Sequence, residues 1–296
     1  MTGPREPGAQ ARVAGYAPNG DEIAEIGGER VELPFTCSGP DAGRGPAAVV
    51  GLYSFPKSGN TWLRAIIAAI TGIPPGPGML QRHITDTHFG PALQNAWGFQ
   101  GRDWYFYKSH HREVMTEHEG QRFTTDRIIH INRHPLDVFM SYLNFVSRNV
   151  SPRAGASLPI QFDRVEDLSA DEMETLFAIF LEHATLFPRN RVFGNIFEHA
   201  ESFRTRAAEK GDVLDLRYED LSNDFVGEVT RLCDFLGFAR VNVHRAFRIA
   251  DRRTKQNGKF FWKRQTETYR SFLTEDQIGR FAERHGASMD ALGYGV

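Results

Sequence analysis

The chain has little cysteine and no long run of apolar residues. Only Cys37 and Cys233 occur among its 296 residues, which excludes a framework of disulfide bonds and is typical of a reducing cytoplasm. No apolar run is long enough to span a bilayer, and residues 1–20 lack the apolar centre of a signal peptide. We therefore expect a cytoplasmic protein with no membrane partner.

The chain also lacks an excess of charge of one sign. Its 35 Lys and Arg residues nearly balance 37 Asp and Glu residues, which leaves a formal charge of −2. No general positive field favours nucleic acid, although a local basic pocket is enough to hold a small polyanion. Residues 1–45 are expected to form a flexible segment with partial order towards its end, followed by one domain over residues 46–296.

Apolar runs and turn residues alternate along this domain in a way that predicts strands alternating with helices. The predicted strands cover 48–55, 104–108, 127–133 and 212–217, and the predicted helices cover 61–71, 135–148, 196–210 and 224–236, with further helices capped at Ser169 and Thr274. This order predicts an α/β fold in which helices flank a single doubly wound parallel sheet. Ligands of such sheets bind at the carboxyl ends of the strands, where we expect Phe55, Lys108, Arg133 and Arg217.

Residues 54–62 read Ser-Phe-Pro-Lys-Ser-Gly-Asn-Thr-Trp between a predicted strand and a predicted helix. A strand, a tight turn with a lysine and a helix N-terminus together form a phosphate-binding device. The Walker A pattern of nucleoside triphosphatases is absent. The stretch instead resembles the 5′-phosphosulfate loop of the soluble, cytosolic-type sulfotransferases that use 3′-phosphoadenosine 5′-phosphosulfate (PAPS). The family has a P-loop-like fold related to that of nucleotide kinases.

A second motif begins at the end of the strand predicted over residues 127–133. Arg133 and Ser141 stand in the pattern Arg-x-Pro-x-Asp-x-x-x-Ser-Tyr, which resembles the 3′-phosphate site of that family. Arginine offers a planar fork to a phosphate and serine a hydroxyl donor. The segment that contains Tyr218 is similar to the family's adenine-contacting segment. Trp62 and Phe247 are candidates for the faces of the base, although core packing explains Phe247 about as well.

One departure from the family lies near the C-terminus. Residues 262–274 contain the cations Lys263 and Arg264 but neither of the two glycines of the family's closing loop. The loop is therefore expected to follow a different backbone path. Taken together, the resemblance implies these cofactor-binding residues: Lys57, Ser58, Gly59, Asn60, Thr61, Trp62, Arg133, Ser141, Tyr218, Phe247, Lys263 and Arg264.

Lys108-Ser109-His110 closes an aromatic-rich strand and is similar to the family's Lys-Thr-His, with serine in place of threonine. The resemblance implies three catalytic residues, His110, Lys57 and Lys108. Imidazole titrates near neutrality and can take the proton of an acceptor hydroxyl. Lys57 would stabilise charge on the leaving nucleotide, and Lys108 would neutralise the sulfuryl oxygens. His111 is the neighbouring alternative, and the motif favours His110.

The implied activity is transfer of a sulfuryl group from PAPS to a hydroxyl, which leaves adenosine 3′,5′-bisphosphate (PAP). No metal is expected, since a sulfuryl group carries less charge than a phosphoryl group. The acceptor is expected to be a small aromatic or hydrophobic alcohol. An apolar slot for it is expected at Phe89, Trp97, Phe99 and Phe145, although loop residues packed on the core are the alternative.

Two other functions remain open on the sequence. One is a P-loop kinase that uses ATP and Mg²⁺, against which the missing Walker A pattern argues. The other is a non-catalytic nucleotide-binding module, against which the presence of both Lys57 and His110 argues. A homodimer is also left open.

Overall fold

A parallel sheet lies at the centre of the computed structural model, which describes residues 12–16, 22–26, 29–32, 45–74, 78–239, 241–255 and 265–295. Five parallel strands form it in the order β11-β10-β4-β7-β5, and β6 pairs antiparallel with β7. The strands are β1 (Arg12–Tyr16), β2 (Glu22–Ile26), β3 (Glu29–Glu32), β4 (Gly45–Tyr53), β5 (Ile84–Asp86), β6 (Trp97–Phe99), β7 (Arg102–Ser109), β8 (Glu117–His118), β9 (Gln121–Arg122), β10 (Arg127–Asn132) and β11 (Val213–Arg217).

The strand order reverses direction at β4, which lies between β7 and β10. In open parallel sheets the crevice at such a switch point, outside the carboxyl ends of the strands, is where ligands bind. Lys108 is the penultimate residue of β7, Arg133 directly follows β10, and Arg217 ends β11. The predicted α/β fold and the predicted placement of these residues are confirmed.

In the part of the chain that the structure describes, two smaller sheets are not paired with the central sheet. Strands β1, β2 and β3 form an antiparallel sheet, and β8 pairs antiparallel with β9. The predicted domain boundary after residue 45 falls at the first residue of β4. The expected flexibility of residues 1–45 concerns chain that lies largely outside the described residues, and it stays a prediction.

The described helices are α1 (Asn60–Ile70), α2 (Met79–His83), α3 (Pro135–Val146), α4 (Pro152–Gly155), α5 (Ala170–His183), α6 (Ile196–Lys210), α7 (Tyr218–Asn223), α8 (Phe225–Leu236), α9 (Val243–Lys255) and α10 (Glu275–Ala291), with 3₁₀ turns at Val165–Asp167 and Thr268–Ser271. Six of the described helices lie close to predicted positions, namely α1, α3, α5, α6, α8 and α10, and the other four were not predicted. Capping boxes at Ser169 and Thr274 start α5 and α10 as predicted.

Helices cover both faces of the central sheet. One buried apolar cluster joins β4 and β10 to α1, α8 and α9, and another joins α3, α5 and α10. The apolar stripe of α5 is buried at Met173, Leu176, Phe177 and Phe180, where it packs against α3. Because α1 follows β4 and α3 follows β10, both helices start at the carboxyl edge of the sheet.

Candidate active site

A cavity of roughly 440 Å³ opens at the carboxyl ends of β4, β7 and β10. Four cationic side chains and two carboxylates line it: Lys57, Arg64, Lys108, Arg133, Asp86 and Asp137. Phosphates are held where cations and helix N-termini converge. The excess of positive charge suits a small polyanion, although the chain as a whole is slightly acidic.

The turn between β4 and α1 forms one wall of this cavity. Its Gly59 caps α1 with φ of 112°, and a Cβ there would lie 2.7 Å from Cδ2 of Tyr218. Only glycine therefore allows the first turn of α1 to approach Tyr218 so closely. The hydroxyl of Ser58 is buried and has no hydrogen-bond partner among the described residues. An orphaned buried donor beside a helix N-terminus fits an anion such as the 5′-phosphosulfate of PAPS.

The two polar residues that follow Gly59 have different surroundings. Asn60 is buried, and its Nδ2 donates to the Leu52 carbonyl and the Ser54 hydroxyl, both at 3.1 Å. This amide holds the turn against the end of β4. Thr61 is exposed and lines the cavity. Both of these predicted cofactor residues line the cavity, and Thr61 is the more exposed of the two.

Lys57, Arg64, Lys108 and Arg133 together form the cationic wall, and Lys57 is the member in the turn after β4. Its backbone is in the left-handed region, with φ of 73°, and its ammonium lies 4.6 Å from the ring centroid of Phe145. Burial, followed by the charges of Arg133 and Lys108, lowers the pKa of Lys57 to about 8. A cation that is destabilised in this way gains most when an anion enters the site.

His110 is held by the end of the neighbouring strand. Its Nδ1 lies 2.7 Å from the backbone carbonyl oxygen of Ser54 and 3.3 Å from the Ser54 hydroxyl. A carbonyl oxygen can only accept, so Nδ1 carries the proton and Nε2 keeps its lone pair. Burial, followed by the charge of Lys108, holds the pKa of His110 well below its usual value. His110 lines the cavity, whereas His111 is not among the lining residues.

Arg133 lies at the start of α3, against the returning C-terminal chain. Its Nη2 donates to the Gln265 carbonyl at 2.9 Å, and the guanidinium stands 4.3 Å over the ring of Tyr218. Its Nε is buried without a hydrogen-bond partner among the described residues. Ser141, two turns further along α3, lines the same cavity. Arg133 and Ser141 are therefore brought together as predicted, and the free Nε fits a phosphate.

Asp137 connects this arginine to the chain that precedes α10. Its Oδ2 accepts from the Glu267 amide at 2.8 Å, its Oδ1 accepts from the Tyr269 amide at 3.3 Å, and Oδ2 lies 3.9 Å from Nη2 of Arg133. Sequence reasoning assigned Asp137 no role, although it stands four residues after Arg133 in the quoted motif. Lys263 and Arg264 precede this anchored segment and lie outside the described residues.

The predicted adenine contacts form an aromatic cluster. The ring of Trp62 packs edge-on against Tyr218 at 5.2 Å between centroids, and Phe225 packs against Phe247 at 4.8 Å. Tyr218 lines the cavity, but Trp62 and Phe247 are not among the lining residues. Phe247 is 44% exposed. Tyr218 thus contacts both the cavity and Trp62, and Phe247 is separated from them by Phe225.

Aromatic side chains also line the cavity. Predicted acceptor residues Phe89 and Phe145 are joined there by Tyr142, Phe187 and Phe193. The last three were missed. Tyr142 directly follows Ser141 in the motif, whereas Phe187 and Phe193 lie in a segment without a motif and reach the cavity only through the fold.

Trp97 and Phe99, which were predicted to line the acceptor slot, lie elsewhere. Both are in β6, which pairs with the beginning of β7, at the opposite end of that strand from Lys108. The indole of Trp97 donates to the Thr71 carbonyl at 2.8 Å, and Phe99 packs edge-on against Phe238. Their placement in the acceptor slot is therefore corrected: these two residues anchor a loop to the core.

Within the described ranges, no three His, Cys, Asp or Glu side chains are grouped so that they could hold a metal ion. None of the helices described is long and apolar enough to cross a membrane. The expectation of metal-free chemistry stays a prediction.

A profile of the sulfotransferase domain matches residues 49–293, which is most of the chain. The chain belongs to the sulfotransferase domain family. Sulfotransferase 2A6 of Mus musculus is 25% identical over 202 residues, and flavonol 3-sulfotransferase of Flaveria bidentis is 26% identical over 204 residues. The alignments cover 63% and 64% of this sulfotransferase-family chain but only 58% and 56% of those relatives. The matched part is thus little more than half of each relative.

Solved structures of similar fold include mouse sulfotransferase SULT7A1 complexed with PAP and retinol dehydratase complexed with retinol and PAP. Their TM-scores to this sulfotransferase-family chain are 0.52 and 0.53, at 18% and 13% identity. The alignments cover 83% and 92% of this chain and 85% and 88% of those structures. At such low identity the likeness shows the fold.

Proposed function

We propose that this protein transfers the sulfuryl group of PAPS to the hydroxyl of a small aromatic or hydrophobic acceptor, with Nε2 of His110 as the base. Membership of the sulfotransferase domain family supports sulfuryl transfer. The hydrogen bond from Nδ1 of His110 to the Ser54 carbonyl carries the mechanism, because it leaves Nε2 as the proton acceptor at the cavity.

The cationic wall supports PAPS as the donor, which supplies an activated sulfuryl group. Ser58 and the N-terminus of α1 would hold the 5′-phosphosulfate, and Arg133 with Ser141 would hold the 3′-phosphate. Lys57 would stabilise charge on the leaving oxygen, and Lys108 would contact the sulfuryl oxygens. Holding acceptor, sulfur and leaving group in line would contribute much of the rate.

The aromatic side of the cavity supports an apolar acceptor. Phe89, Phe145, Phe187 and Phe193 offer rings rather than charges. Two relatives are named for flavonol and for 3-alpha-hydroxysteroid, and a structure of similar fold holds retinol. All of these are hydroxylated molecules of largely apolar character, in agreement with the proposed acceptor class.

Nucleotide preference separates this proposal from a kinase. Thermal unfolding is measured with PAP in the absence of metal and, separately, with ATP and Mg²⁺. A ligand at ~100 times its dissociation constant stabilises the fold by about 2.7 kcal/mol. We expect stabilisation by PAP alone. Stabilisation by ATP with Mg²⁺ and none by PAP would contradict the proposal and favour the kinase.

A non-catalytic nucleotide-binding module is the second alternative. Such a module would also be stabilised by PAP, so turnover decides. We expect PAP to be sulfated by 4-nitrophenyl sulfate in the reverse of the proposed reaction, with release of 4-nitrophenol.

A cytoplasmic location belongs to the same proposal, and a homodimer is left open.

A further inference from the structure

Asp86 forms a buried ion pair with a residue of the cationic wall. It ends β5, where it is the register partner of Lys108 on the parallel strand β7. Its Oδ2 lies 2.9 Å from Nζ of Lys108, and the two side chains are only 11% and 10% exposed. Both residues line the cavity. The pair therefore stands where a bound sulfuryl group is expected.

The backbone around Asp86 fixes the direction of its carboxylate. Thr87 donates from its amide and from its hydroxyl to the Lys108 carbonyl, each at 3.1 Å. The amide of His88 donates to Oδ1 of Asp86 at 3.1 Å. With Oδ1 held by this amide, Oδ2 is left facing the ammonium. The ends of β5 and β7 are thus joined at this point by side chain and backbone together.

The other charges around Lys108 disfavour its protonation. Arg64 approaches from α1, Lys57 from the turn after β4 and His110 from the end of β7, while His88 lines the same cavity. Burial lowers the pKa of Lys108 most, and Arg64 lowers it further. Asp86 opposes both effects and raises that pKa, through its charge and its hydrogen bond.

We propose that Asp86 is a positioning residue for sulfuryl transfer. Its carboxylate keeps the Lys108 ammonium charged and holds it in place at the wall of the cavity. This inference rests on the proposed function, in which Lys108 contacts the sulfuryl oxygens. Asp86 itself touches no reacting atom in this scheme. The alternative is an ion pair that only joins β5 to β7, and loss of such a pair would not weaken PAPS relative to PAP in a pH-dependent way.

Titration of Lys108 tests the first part without any ligand. Lysine side chains labelled with ¹³C are followed by NMR in the wild type, in Asp86→Asn and in Thr87→Val, with Lys108→Met to assign the signal. Thr87→Val removes the neighbouring hydroxyl bond at the same strand end but leaves the carboxylate. We expect Lys108 to titrate at lower pH in Asp86→Asn and unchanged in Thr87→Val. An unchanged titration in Asp86→Asn would overturn the proposal.

Nucleotide binding tests the second part. The ratio of the dissociation constants for PAPS and PAP is measured by calorimetry between about pH 6 and pH 9, since only PAPS carries the sulfuryl group. In Asp86→Asn we expect PAPS to lose affinity relative to PAP by up to about tenfold per pH unit above the lowered pKa. Thr87→Val should follow the wild type. A loss that is independent of pH, or that both variants share, would indicate a structural ion pair only.

A permanently charged side chain at position 108 should rescue the Asp86→Asn variant. Arginine stays protonated over this range, so Asp86→Asn combined with Lys108→Arg should return the pH dependence of the PAPS-to-PAP ratio to that of the wild type, which includes the titration of Lys57 with its pKa of about 8. A ratio that still falls more steeply with pH than in the wild type would contradict the proposal. Failure of the wild type to bind PAP would instead contradict the proposed function, whatever the titration of Lys108.

Discussion

The Nδ1 atom of His110 lies 2.7 Å from the carbonyl oxygen of Ser54, across the gap between the ends of β7 and β4. Because this contact uses the backbone of a neighbouring strand, it orients the imidazole independently of the side chain at position 54. The same sheet edge places Lys57 and Lys108 beside the ring. The base and the two cations are thus held by the same edge of the sheet, which suits a reaction that depends on the alignment of the reacting groups.

Replacement of His110 tests the proposed base. We expect His110→Ala to lower the rate of transfer from PAPS to a phenol by about 10²-fold to 10⁴-fold, the usual contribution of a general base. PAP affinity should change little. His111→Ala is the matched control, since this neighbour is not among the lining residues. Retained turnover in His110→Ala would sink the mechanism.

The pH dependence of transfer in the forward direction, from PAPS to a phenol, tests the state of His110 in the wild type. Its pKa is held well below 6.5, so Nε2 is unprotonated at neutral pH. Activity should persist below pH 6.5 and be lost only as the pH falls through the lowered pKa. A rate that already halves near the ordinary pKa of histidine would contradict this environment.

Replacement of Arg133 tests the 3′-phosphate site. We expect Arg133→Ala to weaken PAP by about 10-fold to 100-fold, in line with the loss of one charge-assisted contact. Adenosine 5′-monophosphate lacks the 3′-phosphate and should be affected far less. Arg127→Ala, at the opposite end of β10, is the control. Calorimetry that finds equal losses for both nucleotides would remove Arg133 from this site.

Variants of two phenylalanines, one at the cavity and one in the core, distinguish acceptor binding from core packing. Phe89 is 76% exposed and lines the cavity, whereas Phe99 is 6% exposed against Phe238. We expect Phe89→Ala to raise the KM for 4-nitrophenyl sulfate without loss of stability. Phe99→Leu should leave that KM unchanged and lower the free energy of unfolding by about 1–2 kcal/mol. Reversed outcomes would return Phe99 to the acceptor slot.

His134 links the stability of the fold to pH. Burial lowers its pKa to about 4, while its ring stacks on Tyr269 and its Nδ1 accepts from the Leu136 amide. The unfolded chain therefore binds a proton at higher pH than the folded chain. This group stabilises the fold above the unfolded pKa, and that contribution falls by about 1.4 kcal/mol per pH unit from about 6.5 down to about 4.

Denaturant unfolding at pH steps across this window measures the effect. His134→Asn keeps a helix-capping side chain but cannot titrate, so stability should fall less steeply with acid than in the wild type. The slopes of the free energy of unfolding against pH should differ between the two proteins by close to the value for one bound proton. Equal slopes would show that His134 is not buried in its neutral form.

Local sequence predicted the elements of the fold and part of the site. The phosphate loop, the Arg133 motif and the Lys-Ser-His stretch are contiguous, and each lies at a strand end, so strand and helix periodicity was enough to place them on one edge. Asp86 carries no such signal. Its position beside Lys108 follows from the pairing of β5 with β7, which joins residues 22 positions apart.

The aromatic residues show the same limit. Phe89 and Trp97 are eight positions apart in one loop-rich stretch and are alike in composition, so the sequence assigned both to an acceptor slot. The fold separates them: β6 pairs with the beginning of β7 and takes Trp97 away from the cavity. Phe187, which sequence reasoning assigned to the core, and Phe193, which it did not single out, line the cavity instead.

The α/β order, the family resemblance and the candidate site residues at the strand ends could be predicted from the sequence, because these predictions depend on periodicity and on short contiguous motifs. Only the tertiary structure decided which His nitrogen is free, which carboxylate faces Lys108 and which rings face the cavity. Those properties depend on contacts between strands and helices that are distant in the chain. Burial then sets the pKa values, since removal of water changes the free energy of each charge.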